Sequence, residues 1–200
     1  VTAETQILGT TETDATLAIG LFSTTDALSP SLKFVKGAHA NIGTHSTTVA
    51  DNEELGKIQA YGSDATDSDT LSSEIAFNID DDGVGAGTLG GEILLKTSGK
   101  DGTLDTAVTI DSSQNVGIGT GSPGYALDIL NSTTPQLNIS NTASNDTAKF
   151  SQITTSHYHN SEEPMTMIEG RSDGSQNYVR LGGGRSEGNS MTILEGYFGS

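Results

Sequence analysis

The feature that most constrains this chain is a series of short apolar pairs and triplets in which large aliphatic residues alternate with polar ones. A two-residue period sends alternate side chains to opposite faces of an extended strand, and it does not fit the 3.6-residue period of a helix. The pattern recurs at Leu17-x-Ile19-x-Leu21, Leu32-x-Phe34, Ile58-x-Ala60, Ile75-x-Phe77-x-Ile79, Ile93-x-Leu95, Val108-x-Ile110, Val116-x-Ile118, Leu127-x-Ile129, Leu137-x-Ile139, Val179-x-Leu181 and Met191-x-Ile193. The sequence therefore predicts an all-β protein of short strands.

The segments between these strands are rich in residues that favour turns. Clusters of Asp, Gly, Ser, Asn and Pro at 80–83, 112–115, 122–124 and 172–175 are predicted to form tight reversals between paired strands. Two segments that begin at Pro30 and Pro135 share the pattern Pro-x-apolar-polar-apolar, which indicates a repeated unit. We divide the chain into a connecting segment 1–29, a first β unit 30–130 and a second, incomplete β unit 131–200. The chain is expected to be a piece of a longer protein.

The number of large apolar residues is too low for each chain to build a core of its own. Leu, Ile, Val and Phe together make up 42 of 200 residues, and the formal net charge is -17. Such a composition lies close to that of disordered chains, yet the regular alternation indicates order. The low apolar content and the predicted order are compatible if three chains share one axial core, since each chain then supplies roughly a third of the apolar residues. The prediction is an elongated intertwined homotrimer, a shaft of the triple β-helix or β-prism type.

The charge balance and the hydropathy pattern exclude several partners. The sequence pI is about 4.2, and no cluster of Lys and Arg is visible, so neither nucleic acid nor an anionic membrane surface is expected as a partner. No stretch approaches the roughly 18 apolar residues of a membrane span, and membrane insertion is not expected. The chain has no cysteine, which excludes disulfides and Cys-ligated metal sites.

His157 and His159 are the residues that we assign to a candidate metal site. On a strand, their side chains would share a face, and three copies around a threefold axis would offer six nitrogens to one metal ion. In the alternative interpretation both histidines face outward and Tyr158 packs inward. No other cofactor is expected. The chain has four His and many Ser and carboxylate residues, so chance pairings of such groups carry little weight; no catalytic residue is assigned, and the protein is not expected to be an enzyme.

The most informative segment runs from Val108 to Ile129. It contains Ile110-Asp-Ser-Ser113, Asn115-Val-Gly-Ile-Gly-Thr120, Pro123 and Leu127. This order resembles the tail-fibre repeat of many bacteriophages, which has Ile-Asp-Ser-x-Gly-Asn-Val-Gly-Ile-Gly-Thr-x-x-Pro before a Leu-x-Val strand. The structural fibre motif that we assign comprises Ile110, Asp111, Asn115, Val116, Gly117, Ile118, Gly119 and Pro123. Gln114 departs from the family, which usually has Gly there, although Asn115 can itself take the left-handed conformation.

Gly117 and Gly119 leave one face of the motif without side chains. A neighbour must therefore approach the backbone closely, and in a threefold fibre we expect that neighbour to be the backbone of another chain. A second resemblance to phage fibres covers Tyr158-His-Asn-Ser-Glu-Glu-Pro164, Gly182-Gly-Gly184 and Asn189-Ser-Met-Thr-Ile193.

The resemblance implies a structural protein of a phage particle, the shaft of a tail fibre that serves host-surface attachment. Its location would be the virion, outside the cell. The partners would be two further copies in a homotrimer, other virion or tail proteins, and a host cell-surface glycan or protein receptor. Three alternatives stay open: a segment of a tailspike-like polysaccharide depolymerase, a capsid (head) fibre, and a cellular surface adhesin.

Overall fold

The computed structural model describes residues 31–37, 48–67, 69–80, 84–85, 87–132, 137–159, 161 and 164–182, and all structural statements concern these residues. They belong to two compact units, Val1–Asn131 and Ser132–Ser200, which are described separately. Within the described ranges the regular structure consists of β-strands in two sheets, with no helix. The predicted all-β class is confirmed.

The first unit forms a six-stranded sheet in the order β1-β2-β3-β4-β5-β6. Its strands are β1 (Glu54–Gly62), β2 (Thr70–Ile79), β3 (Gly91–Ser98), β4 (Leu104–Ile110), β5 (Val116–Ile118) and β6 (Leu127–Ile129). The second unit forms a three-stranded sheet of β7 (Lys149–Thr155), β8 (Met165–Ser172) and β9 (Asn177–Leu181), in sequence order. Strands therefore neighbour one another in space in the order in which they occur in the chain.

Seven of the predicted apolar alternations lie in strands, namely those that form β1 to β6 and β9. The prediction was wrong for Leu32-x-Phe34 and Leu137-x-Ile139, which lie outside strands, and it missed β7 and β8. In the β7–β8 pair the register shifts between Ile153 and Thr154, and this bulge breaks the alternation on which the prediction relied. The segments at 17–21 and 191–193 lie outside the described residues.

Two of the predicted reversals are confirmed and one is wrong. Residues 111–115 join the antiparallel strands β4 and β5, and Asp173 closes the turn between β8 and β9 by donating its N–H to Gln176 O at 2.9 Å. The connection that contains Pro123 is not a reversal, because β5 and β6 run parallel. A parallel step requires the chain to cross back to the starting end of the sheet. Of the turn expected at 80–83, only Asp80 is described.

Few apolar side chains are buried in either unit. Among the described residues, the only buried hydrophobic side chains are those of Ala76 and Ile79. The buried polar residues are Glu74, Thr109, Thr166 and Glu169. A globular domain normally shows the reverse distribution, with its large aliphatic residues inside. Most of the large apolar residues in the described ranges are therefore exposed or only half-buried.

Candidate assembly surface

One face of the six-stranded sheet carries two continuous rows of large apolar side chains. Residues directly across from one another in a sheet lie on the same face, so the strand register defines each row. The first row is Ile58, Ile75, Leu95, Val108, Ile118 and Ile129, with one residue from each strand. The second row is Phe77, Ile93, Ile110, Val116 and Leu127, with Gly56 as its sixth member. We call these eleven apolar residues the apolar face.

The apolar face is largely open. Its exposed members are Ile58, Ile75, Leu95, Ile118, Ile93 and Leu127, with exposures from 36% to 59%. The two rows contain no charged residue, although the chain as a whole is rich in Asp and Glu. A contiguous apolar surface on an otherwise polar protein indicates an interaction site. Such a surface is suited to contact another apolar surface.

The opposite face of the same sheet is polar and carries an ion-pair network around Glu74. The Glu74 carboxylate accepts hydrogen bonds from Lys96 Nζ at 2.9 Å and from Gln59 Nε2 at 2.6 Å. Lys57 Nζ lies 3.9 Å away. The Lys96 hydrogen bond is the main reason that the pKa of Glu74 is lowered, while desolvation opposes it. These long side chains cover Glu74, which is only 6% exposed.

Phe34 packs onto the apolar face where Gly56 has no side chain. The Phe34 ring stacks on Phe77, with ring centroids 5.8 Å apart, and a Cβ added at Gly56 would overlap Phe34. Nearby, Lys36 Nζ donates to Glu54 O at 3.0 Å and pairs with Glu53 Oε1 at 2.8 Å. The segment 31–37 is thus attached to the start of β1, to Glu53 just before it and to Phe77 of β2. It extends the second apolar row by one aromatic side chain.

The three-stranded sheet of the second unit repeats the pattern on a smaller scale. Ile153, Ile168 and Leu181 lie directly across from one another on β7, β8 and β9. Val179, two residues before Leu181, shares their face. All four side chains are exposed, Val179 at 70% and Leu181 at 60%. Each unit by itself therefore presents an uncovered apolar row.

The fibre motif forms the turn between β4 and β5, and Asp111 and Asn115 close it. Asp111 N donates to Asn115 O at 3.1 Å, and Asp111 Oδ1 and Oδ2 accept from Asn115 N and Nδ2 at 2.8 and 3.2 Å. The left-handed residue is Gln114, with φ of 67°, rather than Asn115. Asn115 instead uses its backbone and its amide on Asp111. Ser112 N donates to Asp80 Oδ2 at 2.9 Å, which ties the turn to the end of β2.

The close neighbours of Gly117 and Gly119 belong to the chain itself. A Cβ at Gly117 would meet the carbonyl oxygen of Thr120, and a Cβ at Gly119 would meet that of Leu130. The expectation that another chain's backbone fills this space is therefore corrected, because Thr120 in the connection after β5 and Leu130 directly after β6 lie against these glycines. Gly119 also has a φ of 73°. Gly is required here by both backbone conformation and space.

The remaining members of the motif lie where β4, β5 and β6 meet. Ile110 pairs with Val116, and Ile118 pairs with Ile129. Pro123 is buried within the connection from β5 to β6. The sequence thus brings together the eight predicted residues in one region, at the parallel end of the sheet. Their role there is to form the turn and the crossover that place β5 and β6 on the apolar face.

His157 and His159 lie just after β7 in a bend, so their predicted placement on a strand is wrong. The two ring centroids are 6.3 Å apart, and His159 N donates to His157 Nδ1 at 3.2 Å. Tyr158 is 92% exposed in the single chain, and the alternative in which it packs inward in the assembled protein stays a prediction. No group of three or more His, Cys, Asp and Glu side chains suited to a metal ion occurs in the described part of the chain. The threefold metal site stays a hypothesis about the assembled protein.

No helix in the described ranges has the length and apolar character needed to span a membrane.

Sequence reasoning identified seven of the nine strands in the described ranges but missed the two apolar rows as a surface. The register that aligns six strands includes shifts at Ala60/Tyr61 and at Leu95/Lys96, which no local signal predicts. It also missed the docking of Phe34. A signal was present, since Gly56 interrupts an otherwise apolar row at the start of β1.

The chain was compared with protein-family models and with curated proteins, and neither comparison found a match. The resemblance to phage tail-fibre repeats stays a prediction that rests on the motif residues.

Proposed function

We propose that this protein is a structural component of a trimeric fibre, the shaft of a phage tail fibre that serves attachment to a host surface. The observation that carries the proposal is the apolar face, two rows of large side chains that cross all six strands and stay exposed in the single chain. Uncovered apolar surface of this extent favours association, because its removal from water is worth roughly 25 cal/mol per Å².

A second copy of the chain is the occupant that fits this face best. The face is built from similar aliphatic residues in both rows, so copies related by rotation meet like with like. The second unit exposes a row of the same chemistry. Burial of these rows between copies explains how a chain with so few large apolar residues keeps ordered sheets. The composition and the resemblance of the motif to phage fibres support three copies.

In this proposal the function is mechanical and multivalent. The fibre spans distance, and three copies in each fibre strengthen weak contacts with a host surface. No residue of the motif is proposed to act chemically. Asp111, Asn115, Gly117 and Gly119 maintain the turn and the crossover, as their hydrogen bonds and close contacts indicate.

The test is the mass and the shape of the protein in solution. Sedimentation equilibrium should give three times the chain mass of 20.6 kDa, and negative-stain electron microscopy should show rods. A monomer that is folded by circular dichroism and stays monomeric at high concentration would falsify the proposal. A compact trimer without a long axis would support the trimeric assembly but contradict the proposed fibre.

A further inference from the structure

The apolar face is long in one direction and narrow in the other. Across the strands it extends over the whole six-stranded sheet, which is about 24 Å wide because neighbouring strands lie about 4.8 Å apart. Along each strand it includes only two residues, such as Ile75 and Phe77 of β2, whose Cα atoms lie about 7 Å apart. The apolar face is therefore a stripe that crosses the strands.

The stripe has a boundary on each side. Next to the first row, the same face carries a row of small and polar residues that lie directly across from one another on β1 to β4, namely Ala60, Ser73, Thr97 and Asp105. Next to the second row, Ile79 is already buried within the chain, and β2 ends there. A core that extended further along the strands would have to bury Asp105, which is exposed in the single chain. The stripe is thus limited to a width of two residues.

A core that three sheets share around one axis has the same proportions as this stripe. Sheets that pack face to face lie about 10 Å apart, so only the side chains nearest the axis reach its centre. Along the axis, by contrast, the core extends as far as the apolar residues do. A long, narrow stripe fills such a core when its long direction follows the axis.

Strands that ran along the axis would leave much of the stripe in contact with water. The three copies would then form a ring, to which each contributes six strands side by side. Rings of about 16–18 strands enclose an open channel, because side chains from opposite walls do not meet. Ile58 on the edge strand β1 and Ile129 on the edge strand β6 would lie farthest from the centre of the ring.

The twist of β-sheets also favours strands that lie across the axis. Neighbouring strands are rotated by about 20–25° about the direction that crosses them. If this direction is the fibre axis, three sheets can wind around one another and stay in contact along the whole stripe. A ring with flat walls would instead require the twist to be suppressed.

We propose that the strands of the first unit lie across the fibre axis and that its first apolar row runs along the axis in all three copies. Each strand then contributes one layer, formed by the same residue from three chains, and the hydrogen bonds between strands run along the fibre. Each layer adds about 4.8 Å to the length of the fibre. The inference rests on the proposed function, because the axis exists only in the trimer.

The experiment cross-links single cysteines in the intact chain, which has no cysteine of its own. Ile58→Cys, Leu95→Cys and Ile118→Cys each place one thiol in the first row, on β1, β3 and β5. After reaction with a short bismaleimide, a denaturing gel shows whether chains are joined. We expect all three variants to give a product of twice the chain mass of 20.6 kDa, in similar yield, because each residue meets its own copies at the axis.

Thr106→Cys is the matched control. Thr106 is exposed on the polar face of β4, so its thiol points away from the axis. We expect at least about tenfold less product from this variant, because thiols that are held side by side have a much higher effective concentration. Equal product from Thr106→Cys and Ile58→Cys would overturn the proposal.

The pattern of cross-links separates the two strand directions. Strands along the axis would hold the copies of Ile58 more than about 20 Å apart, while those of Leu95, near the middle of the sheet, would stay closer. A trimer in which Leu95→Cys is joined and Ile58→Cys is not therefore contradicts the strand direction and leaves the proposed fibre standing. A parent chain that sediments as a monomer contradicts the fibre itself.

X-ray diffraction from aligned fibres tests the strand direction without any substitution. Strands that lie across the axis should give a reflection at about 4.8 Å along the fibre direction. The same reflection at right angles to the fibre would overturn the proposal, whatever the cysteine variants show.

Discussion

At the scale of single residues, Gln114 is the most informative position of the turn between β4 and β5. The turn places its left-handed residue directly before Asn115, because Gln114 N donates to Asp111 O at 3.0 Å and Asp111 N then bonds to Asn115 O. Asn115 is fully engaged with Asp111, so the left-handed conformation falls to Gln114, with φ of 67°. A side chain in this conformation costs about 1–2 kcal/mol.

Replacing Gln114 by Gly should therefore stabilise the protein. Removal of the strain outweighs the added freedom of Gly in the unfolded chain, about 0.4–1 kcal/mol, and leaves a net gain of up to about 1 kcal/mol. Urea unfolding at a fixed protein concentration measures the difference. Gln114→Ala is the control, since it removes the side chain but retains the strain, and it should show no gain. Equal stabilisation by both variants would contradict this explanation.

Gly119 should tolerate no larger residue. Gly119→Ala adds a Cβ against Leu130 O at a positive φ of 73°, so we expect a loss of more than about 1–2 kcal/mol. The matched control is Gly121→Ala, two residues further along, where a Cβ meets no atom within 4 Å. That variant should stay within about 0.5 kcal/mol of the parent in the same urea titration. A Gly119→Ala variant as stable as Gly121→Ala would show that the crossover can adjust.

The residues of the motif could be predicted from the sequence, but their contacts could not. Asp111 and Asn115 stand out by pattern, yet the pattern does not say which of Gln114 and Asn115 is left-handed, because both choices give a plausible turn. The neighbours of Gly117 and Gly119 were assigned to another chain because the sequence does not reveal that β5 and β6 are parallel. The parallel crossover brings Thr120 and Leu130 of the same chain to these glycines.

At the scale of elements, the Glu74 network couples β1, β2 and β3 to pH. The pKa of Glu74 is lowered in the folded protein, mainly by Lys96, so the folded state favours the charged carboxylate. A lowered carboxyl pKa contributes stability that is fully present above the unfolded pKa of about 4.3. That stability is lost as the pH falls through the lower folded pKa.

Glu74→Gln should therefore destabilise the protein near neutral pH and less so in acid. We expect a loss of about 1–3 kcal/mol at pH about 7, because charge-assisted hydrogen bonds are of this size. The difference from the parent should shrink as the pH falls below about 4.3 and disappear below the lowered folded pKa, where the folded parent carboxyl also becomes neutral. Urea midpoints across the pH range give the result. Glu54→Gln removes an exposed partner of Lys57 and should change little at any pH. A difference for Glu74→Gln that stays constant with pH would contradict the assignment.

Most strands could be predicted, since β1 to β6 and β9 contain regular alternations. The exceptions show where the local signal ends. In β8 the chain reads Met165-Thr-Met-Ile-Glu, and the bulge opposite Ile153 places two apolar neighbours in succession. Leu32 and Phe34 alternate as a strand would, but they lie beside the sheet and not within it. Tertiary contacts decide whether an alternating segment joins a sheet. Alternation shows that the segment has an apolar and a polar face, but not that a neighbouring strand is hydrogen-bonded to it.

At the scale of the whole molecule, a single charged substitution on the apolar face tests the proposed assembly. Leu95→Lys places a cation in the middle of the first row, where three copies would bury it without a partner. We expect loss of the trimer, read as chain-mass or aggregated species in sedimentation velocity. Thr106→Lys is the control, because Thr106 pairs with Lys96 on the polar face and is exposed. A trimer unaffected by Leu95→Lys would show that the apolar face is not the interface.

Composition alone already pointed to shared burial, and the exposed rows of both sheets agree with it. The geometry of a trimer was beyond the sequence, because the angle and the offset between copies depend on side-chain packing across surfaces.

The open apolar rows also set the time course of folding. The antiparallel neighbours β1 to β5 are joined locally, and hairpins form in roughly 1–10 μs without help from another chain. In the proposed assembly the rows stay in contact with water until copies meet, so the slow step is an encounter whose rate rises with chain concentration. Productive association and aggregation then compete for the same surface.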